Sequence, residues 1–222
     1  MSEDAQGFLW IGTFGGGLNR YDPRTETFTH YQSQEGISSS LSNDQIWSVY
    51  IDSRNILWVG TQSGLNKFDP SAGPDGQVQD EVFVRYLHDP DDPHSLSHNR
   101  VRAIYEDRQG TLWIGTTGGL NQYNRDDDTF ISYRTESDDP NSLSHNSIYS
   151  IAGDVTDALW IGGAKGVNKA DRGNQRFDLY MHGDQIHTMV QDGNGVLWAG
   201  TGGQGLHRID RAHNTAIPYN PD

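Results

Sequence analysis

The chain has 222 residues, of which 30 are acidic and 16 basic, giving a formal net charge of −14 at pH 7. This length fits a single all-β domain, and the acidic balance argues against binding to nucleic acid or to an anionic membrane surface, which both require basic patches. Cysteine is absent, which excludes disulfides and thiolate metal sites.

One phrase recurs five times along the chain: an Asp, five further residues, and then a Trp that is followed two residues later by Gly. Such self-similarity, at a period of roughly 40–50 residues, indicates an array of equivalent supersecondary units. The pairs are Asp4/Trp10, Asp52/Trp58, Asp107/Trp113, Asp154/Trp160 and Asp192/Trp198. We divide the chain into units 1–44, 45–99, 100–146, 147–184 and 185–222.

Taken in chain order, each unit contains four short runs of β-branched and aromatic residues, with Gly, Asn and Asp between them. In the second unit these runs predict strands at Gln45–Ile51, Leu57–Thr61, Leu65–Asp69 and Val82–Tyr86. No stretch shows a helical period of useful length. Four antiparallel strands per unit, repeated around an axis, predict an all-β fold: a β-propeller of four-stranded antiparallel blades with five repeat units.

The recurring Asp and Trp residues are predicted to be structural. The Asp carboxylate can accept hydrogen bonds from backbone N–H groups of its own turn. The Trp is expected to pack between neighbouring sheets; stacking on carbohydrate is the alternative, which we favour less because the residue recurs in every unit. Three positions after the Asp stands a residue that tolerates positive φ, namely Gly7, Asn55, Gly110, Asp157 and Gly195.

Two segments, SLSNDQIWSVYIDSRNILWVGTQSGLNKFD and SLSHNRVRAIYEDRQGTLWIGTTGGLNQYN, resemble the two-component regulator propeller repeat, and the resemblance covers essentially the whole chain. It implies the extracytoplasmic sensor portion of a bacterial membrane receptor, followed by a transmembrane helix and signalling output domains, and often an oligosaccharide ligand. The sequence departs from that pattern because it lacks an apolar span of about 20 residues, a signal peptide and an output region. We therefore expect a periplasmic or otherwise extracytoplasmic location in a parent protein, with no membrane contact by this segment itself.

The start of the first unit raises the question of how the propeller closes. Only Met1–Glu3 precede Asp4, so the innermost strand of this unit is expected to be nearly missing. Leu9–Thr13 would then form an exposed edge or pair with a partner molecule. A fragment of a larger propeller and a self-sufficient five-bladed ring are both open at this point, and an unpaired edge would permit self-association.

Three further patterns could indicate a ligand site but are better explained by loop and turn structure. The acidic runs His88–Asp92 and Glu136–Asp139 lack the spacing of an EF-hand, so they predict solvated loops and not calcium sites. The glycines of Gly200–Gly205 match a dinucleotide fingerprint, but a strand and not a helix follows, which predicts a hairpin turn. His98 and His145 recur at one register and could share a metal, although shaping of the loop is the preferred interpretation. We assign no catalytic residue, cofactor or metal ligand.

The candidate ligand site lies at the mouth of the propeller, where the SLSxN connections and the segments after LWxGT converge. Each innermost strand keeps one aliphatic position, and the positions on either side of it vary between units. Those before it are Gln45, Arg100, Ser147 and Gln185, and those after it are Trp47, Arg102, Tyr149 and His187. Strand alternation would place both flanking positions on one face. Such unlike polar and aromatic groups suit a hydroxyl-rich ligand, whereas filling of space between blades is the alternative.

The sequence thus favours a non-enzymatic sensor that binds a small molecule or an oligosaccharide. Trp47 and Tyr149 would stack on the ligand, and hydrogen bonds would come from Arg100, Arg102, Gln45 and His187, with His98 and His145 of the SLSHN connections nearby. A protein-interaction scaffold that self-associates is one alternative. A polysaccharide lyase or hydrolase is another, but it would require paired carboxylates, and the sequence offers none distinct from the repeated turn Asp residues.

Overall fold

The computed structural model describes residues 1–70, 82–171, 176–211, 213 and 215–219. These residues form 20 strands in five antiparallel sheets of four strands each, and no helix occurs among them. The predicted all-β propeller architecture is therefore confirmed. The first two sheets contain β1 (Ser2–Glu3), β2 (Leu9–Gly12), β3 (Leu18–Asp22) and β4 (Thr27–Tyr31), then β5 (Ile46–Ile51), β6 (Leu57–Thr61), β7 (Gly64–Phe68) and β8 (Val84–Tyr86).

The other three sheets follow the same order. The third contains β9 (Val101–Glu106), β10 (Leu112–Thr116), β11 (Gly119–Asn124) and β12 (Thr129–Tyr133). The fourth contains β13 (Ile148–Gly153), β14 (Leu159–Gly163), β15 (Gly166–Asp171) and β16 (Arg176–His182). The fifth contains β17 (Ile186–Gln191), β18 (Leu197–Thr201), β19 (Leu206–Asp210) and β20 (Thr215–Tyr219). Within every sheet the strands lie side by side in chain order.

The strand boundaries in the second sheet differ by one or two residues from those predicted. Gln45 lies outside β5 because its backbone forms an isolated bridge with Phe14 of the first sheet's connection. β7 begins at Gly64, which pairs with Thr61 across the hairpin. At the outer strand, the N–H of Phe83 donates to the carbonyl oxygen of Ser39, so pairing with β7 starts only at Val84.

The repeated Asp closes the turn between the first two strands of each sheet and also holds the Trp. In the second sheet, Asp52 Oδ1 accepts the backbone N–H groups of Arg54 and Ile56, while Oδ2 accepts the indole N–H of Trp58. The same three bonds recur in all five sheets, with Nε1–Oδ2 distances of 2.8–2.9 Å. These hydrogen bonds agree with the predicted turn role of the Asp, and the same carboxylate satisfies the donor that a buried indole brings with it.

The residues predicted to tolerate positive φ do adopt it, with φ between 61° and 85° at Gly7, Asn55, Gly110, Asp157 and Gly195. This backbone region is accessible to Gly and, less readily, to Asn and Asp. Local turn chemistry therefore fixes the first hairpin of every sheet.

The Gly two residues after the Trp explains how successive sheets pack. A Cβ atom at Gly12 would overlap with Ile46 of the next sheet, and one at Gly115 would overlap with Ile148. The equivalent approaches are Gly60 to Val101 and Gly162 to Ile186. The bare backbone of one sheet thus receives the repeated aliphatic residue from the innermost strand of the next.

The hydrophobic core lies between the sheets, in four clusters that each join two successive blades. Four of the five repeated Trp side chains, those of Trp10, Trp58, Trp113 and Trp160, belong to these clusters, and Trp10, Trp58 and Trp160 are fully buried. Trp198 of the fifth sheet is only half-buried. The positions of the four clustered indoles agree with the predicted packing between sheets.

The edge of the first sheet is better covered than the sequence predicts. β1 pairs with β2 through Ser2 and Glu3, which lie opposite Trp10 and Leu9. The expectation that Leu9–Thr13 forms an exposed edge or pairs with a partner is thus wrong for Leu9 and Trp10, because the two residues of β1 occupy that edge. β1 forms no pair with Ile11 or Gly12.

Candidate functional site

A β-bulge occurs near the start of each innermost strand from the second sheet onward. Ile46 pairs with Thr61 and Ser48 with Gly60, which leaves Trp47 between them without a cross-strand partner. The same register shift occurs in the next three innermost strands, at Arg102, Tyr149 and His187. Bulges re-aim a side chain, so the strict alternation assumed from the sequence does not hold at these positions.

The four bulged side chains form one continuous row across the blades, with Phe14 of the first blade at its end. The Phe14 and Trp47 rings meet edge to face at 5.2 Å between centroids. The Arg102 guanidinium carbon lies 4.1 Å from the Trp47 ring centre and 4.9 Å from that of Tyr149. The Tyr149 and His187 rings are stacked, 5.5 Å apart with planes at 13°. We call Phe14, Trp47, Arg102, Tyr149 and His187 the rim row.

Phe14 was not predicted as a site residue. It follows the LWIGT phrase of the first unit, at the register occupied in later units by Gln62, Thr117, Ala164 and Gly202. Its side chain is 67% exposed, which is unusual for a large aromatic residue. Comparison of this position between units, as was done for the innermost strands, would have singled it out.

Contacts within the row limit which faces a ligand could use. Arg102 lies over both Trp47 and Tyr149, so one face of each predicted stacking platform already holds a cation. The Trp47 indole N–H donates to Oε1 of Gln62 at 3.1 Å, which fixes the ring. Phe14 and His187, at the two ends of the row, are the exposed rings.

Arg100 and Arg102 bring two positive charges to the start of β9: Arg102 lies on the strand and Arg100 directly precedes it. Within the described part of the chain neither guanidinium forms an ion pair, and Arg100 Nε is buried without a hydrogen-bond partner. Burial lowers the pKa of Arg102, and the charge of Arg100 lowers it further against an opposing contribution from Tyr149. The two cations therefore repel each other in a partly desolvated position.

The predicted site residues His98 and His145 accept hydrogen bonds from the backbone of their own loops. Nδ1 of His98 accepts the N–H of Arg100, and Nδ1 of His145 accepts the N–H of Ser147. Asn43 plays the same part with its side-chain oxygen for Gln45. Burial lowers the pKa of His98, with His88 and Arg100 contributing in the same direction. The geometry agrees with the loop-shaping interpretation of the two His residues.

The SLSxN connections are tied to the blade that follows them. In the third blade, Ser97 accepts a hydrogen bond from the Asn121 amide, whose oxygen accepts the Ser97 N–H, and Ser97 also bonds to the Thr116 hydroxyl. Equivalent bonds from Ser42 to Asn66 and from Ser144 to Asn168 hold the other two connections. These loops thus present Arg100 and its neighbours on a fixed frame.

Other sequence patterns contribute nothing to this site. Both acidic runs lie in exposed loops, where Asp89, Asp92 and Asp139 accept N–H groups of their own segment. Among the described residues no cluster of three metal-ligating side chains exists. Gly200–Gly205 closes the hairpin between β18 and β19, as predicted. In the part of the chain that the structure describes, no helix is long and apolar enough to cross a membrane.

Comparison with known families bears on what such a row does. The family model described as the two component regulator propeller matches residues 40–63, 95–118 and 180–203. Each match ends two residues after the second strand of a blade and contains the bulged position. This chain contains two-component regulator propeller repeats. The expected resemblance is therefore confirmed for these segments.

Proteins similar to this chain include a histidine kinase and an extracellular domain of known structure. Histidine kinase P4 of Formosa agariphila is 30% identical over 153 residues, which amount to 52% of this chain and 11% of the kinase. The extracellular domain of the hybrid two component system BT3049 from B. thetaiotaomicron is 26% identical with a TM-score of 0.82, over 97% of this chain and 29% of that one. The chain thus spans a small part of these relatives.

The fold by itself is also found in enzymes. Virginiamycin B lyase from Staphylococcus aureus superposes with a TM-score of 0.65 at 14% identity, over 95% of this chain and 66% of the lyase. At that identity the likeness shows the shared propeller fold alone. Binding and catalysis must therefore be distinguished by the residues at the site.

Proposed function

We propose that this chain is the ligand-recognising part of an extracytoplasmic, periplasmic bacterial sensor, that it is non-enzymatic, and that it binds an oligosaccharide along the rim row. The propeller repeats, and the similarity of this chain to the extracellular domain of a hybrid two component system, support the sensing role. The parent protein's signalling activity belongs to this proposal.

The rim row is the observation that carries the binding role. Four of its five residues, Trp47, Arg102, Tyr149 and His187, occupy one register in successive blades, yet they differ in type from blade to blade, unlike the repeated Asp and Trp. Structure alone would be served by identical residues in identical environments. Because the row crosses all five blades and ends in exposed rings at Phe14 and His187, it suits an extended ligand of several sugar rings.

Phe14→Ala is the direct test, because this ring is exposed and lies in the row. An aromatic contact contributes about 0.5–1.5 kcal/mol beyond its area, so binding of an oligosaccharide found by array screening should weaken by roughly 2- to 10-fold in calorimetry. Phe28→Ala is the matched control: Phe28 is 53% exposed on the outer strand β4, remote from the row. Equal effects of the two changes, or none from Phe14→Ala, would remove the rim row as the binding site.

Self-association is the second candidate function. The observation behind it is the shortness of β1, which pairs with Leu9 and Trp10 of β2 but not with Ile11 or Gly12. Unpaired strand edges accept partner strands. Light scattering on the purified chain separates the two candidates. A scaffold dimerises without added sugar. A sensing propeller can bind its ligand as a monomer.

A further inference from the structure

Arg100 and Arg102 lack the polar side-chain partners that several other arginines have in the described part of the chain. Arg125 pairs with Asp52 and Glu106, and Arg85 donates to carbonyl oxygens of the SLS connection. Arg134 donates to the carbonyl of Ser97. For Arg100 and Arg102, by contrast, the described residues supply no carboxylate and no carbonyl acceptor.

An uncompensated pair of cations is costly in a partly buried position. Removing charge from water is unfavourable, and a second like charge adds to that cost. The chain has an excess of acidic residues, with a net charge of −14, so carboxylates to neutralise this pair are abundant in the sequence. Among the described residues no carboxylate forms an ion pair with Arg100 or Arg102, which indicates that the compensating charge comes from outside the described chain.

The surroundings prepare Arg102 for that role. The Trp47 and Tyr149 rings lie against its guanidinium, and such contacts restrict a long side chain without using its N–H donors. A planar guanidinium held in this way can offer two parallel N–H groups to a carboxylate or a sulfate. Arg100, two residues earlier on the same chain segment, adds a second cation.

We propose that the ligand of the rim row carries an oxyanion, either the carboxylate of a uronic acid or a sulfate ester, which binds to Arg100 and Arg102. This inference rests on the proposed sugar-binding function and names the chemical class of its ligand. Hydroxyl-rich rings contact the exposed aromatic ends of the row, and the anionic group lies at its centre.

The test compares three tetrasaccharides by calorimetry: neutral cellotetraose, tetragalacturonate and a sulfated carrageenan tetrasaccharide. We expect at least one anionic probe to bind more tightly than the neutral one. Arg100→Met should weaken that binding by about 10- to 100-fold, as expected for loss of a charge-assisted contact. Arg108→Met is the control, because Arg108 is exposed and donates to the carbonyl of Val155 away from the row.

Each outcome has a separate meaning. Preference for the carboxylate or for the sulfate identifies the source of the oxyanion. Neutral and anionic probes binding equally well would overturn the inference while leaving the proposed function standing, and so would anionic binding that is unaffected by Arg100→Met. If none of the three probes binds, the proposed function and the inference fail together.

A second measurement needs no sugar and guards against a structural role for Arg100. Removal of an unneutralised charge and of a buried unpartnered Nε should leave the melting temperature of the unliganded protein unchanged or higher. Sulfate at matched ionic strength should stabilise the wild type more than the Arg100→Met variant. A clear fall in melting temperature on substitution, with equal sulfate effects in both proteins, would identify Arg100 as structural and overturn the inference.

Discussion

Arg125 joins two blades through charges that are largely removed from water. Its guanidinium donates to Oδ2 of Asp52 at 2.9 Å and to Oε1 of Glu106 at 2.8 Å. The Asp52 side chain is fully buried, and those of Glu106 and Arg125 are 7% and 14% exposed. Substitution of Arg125 by Met keeps much of the side-chain volume but leaves both carboxylates without their cation.

The size of the effect follows from what remains around those carboxylates. Removing one partner of a buried ion pair costs about 3–5 kcal/mol. Asp52 keeps its hydrogen bonds from Arg54, Ile56 and Trp58, and Glu106 keeps those from Ser53, so the lower end of that range applies. A loss of about 3 kcal/mol corresponds to a fall in melting temperature of roughly 6–12 °C for a domain of this size.

Calorimetric melting of the two proteins at neutral pH and low salt measures this loss. Arg24→Met is the matched control, because Arg24 pairs with Asp22 on the surface, where its side chain is 67% exposed and such pairs contribute little. A melting temperature for Arg125→Met as high as that of the control would refute the reasoning. It would show that solvent reaches the carboxylates and screens them.

Two further predictions concern the backbone and the pH dependence of stability. Gly166→Ala should destabilise the protein more than Gly183→Ala. Both residues have positive φ, but only at Gly166 would the added Cβ overlap with the Met181 carbonyl oxygen. Urea titrations of the two variants measure the difference, and the reverse order of stability would contradict the prediction. For Asp154, burial raises the pKa. Hydrogen bonds from Thr156, Trp160 and nearby backbone N–H groups together lower it by more than burial raises it, so the folded pKa lies below the usual 3.8. Its contribution to stability is therefore complete above the unfolded pKa and is lost as the pH falls through the folded value. Asp154→Asn should then lose less stability than the wild type between about pH 5 and pH 2; parallel acid melting curves would argue against it.

Much of the fold could be predicted because its signals are local. An Asp accepts N–H groups two and four residues later and an indole six residues later, so a fixed spacing in the sequence describes the hairpin fully. The same holds for the positive φ at Asn55. Repetition then identifies the propeller, since no single unit can bury its sheet faces alone.

The candidate site could be predicted only in part. Comparison of repeats singled out Trp47, Arg102, Tyr149 and His187 as variable positions. It did not reveal that a bulge re-aims them, nor that Phe14 extends the row.

The sequence by itself therefore determined the strands, the turns and the repeat, because each depends on residues within a few positions of one another. Only the tertiary structure decided which side chains of different blades meet. Arg125 bonds to Asp52, 73 residues away, and Arg102 lies between rings of the two flanking blades. Such contacts depend on how one sheet is placed against the next, and that placement comes from close packing of glycine backbone against aliphatic side chains. Both residue types recur in the sequence, but their spacing does not show that they meet across the sheets.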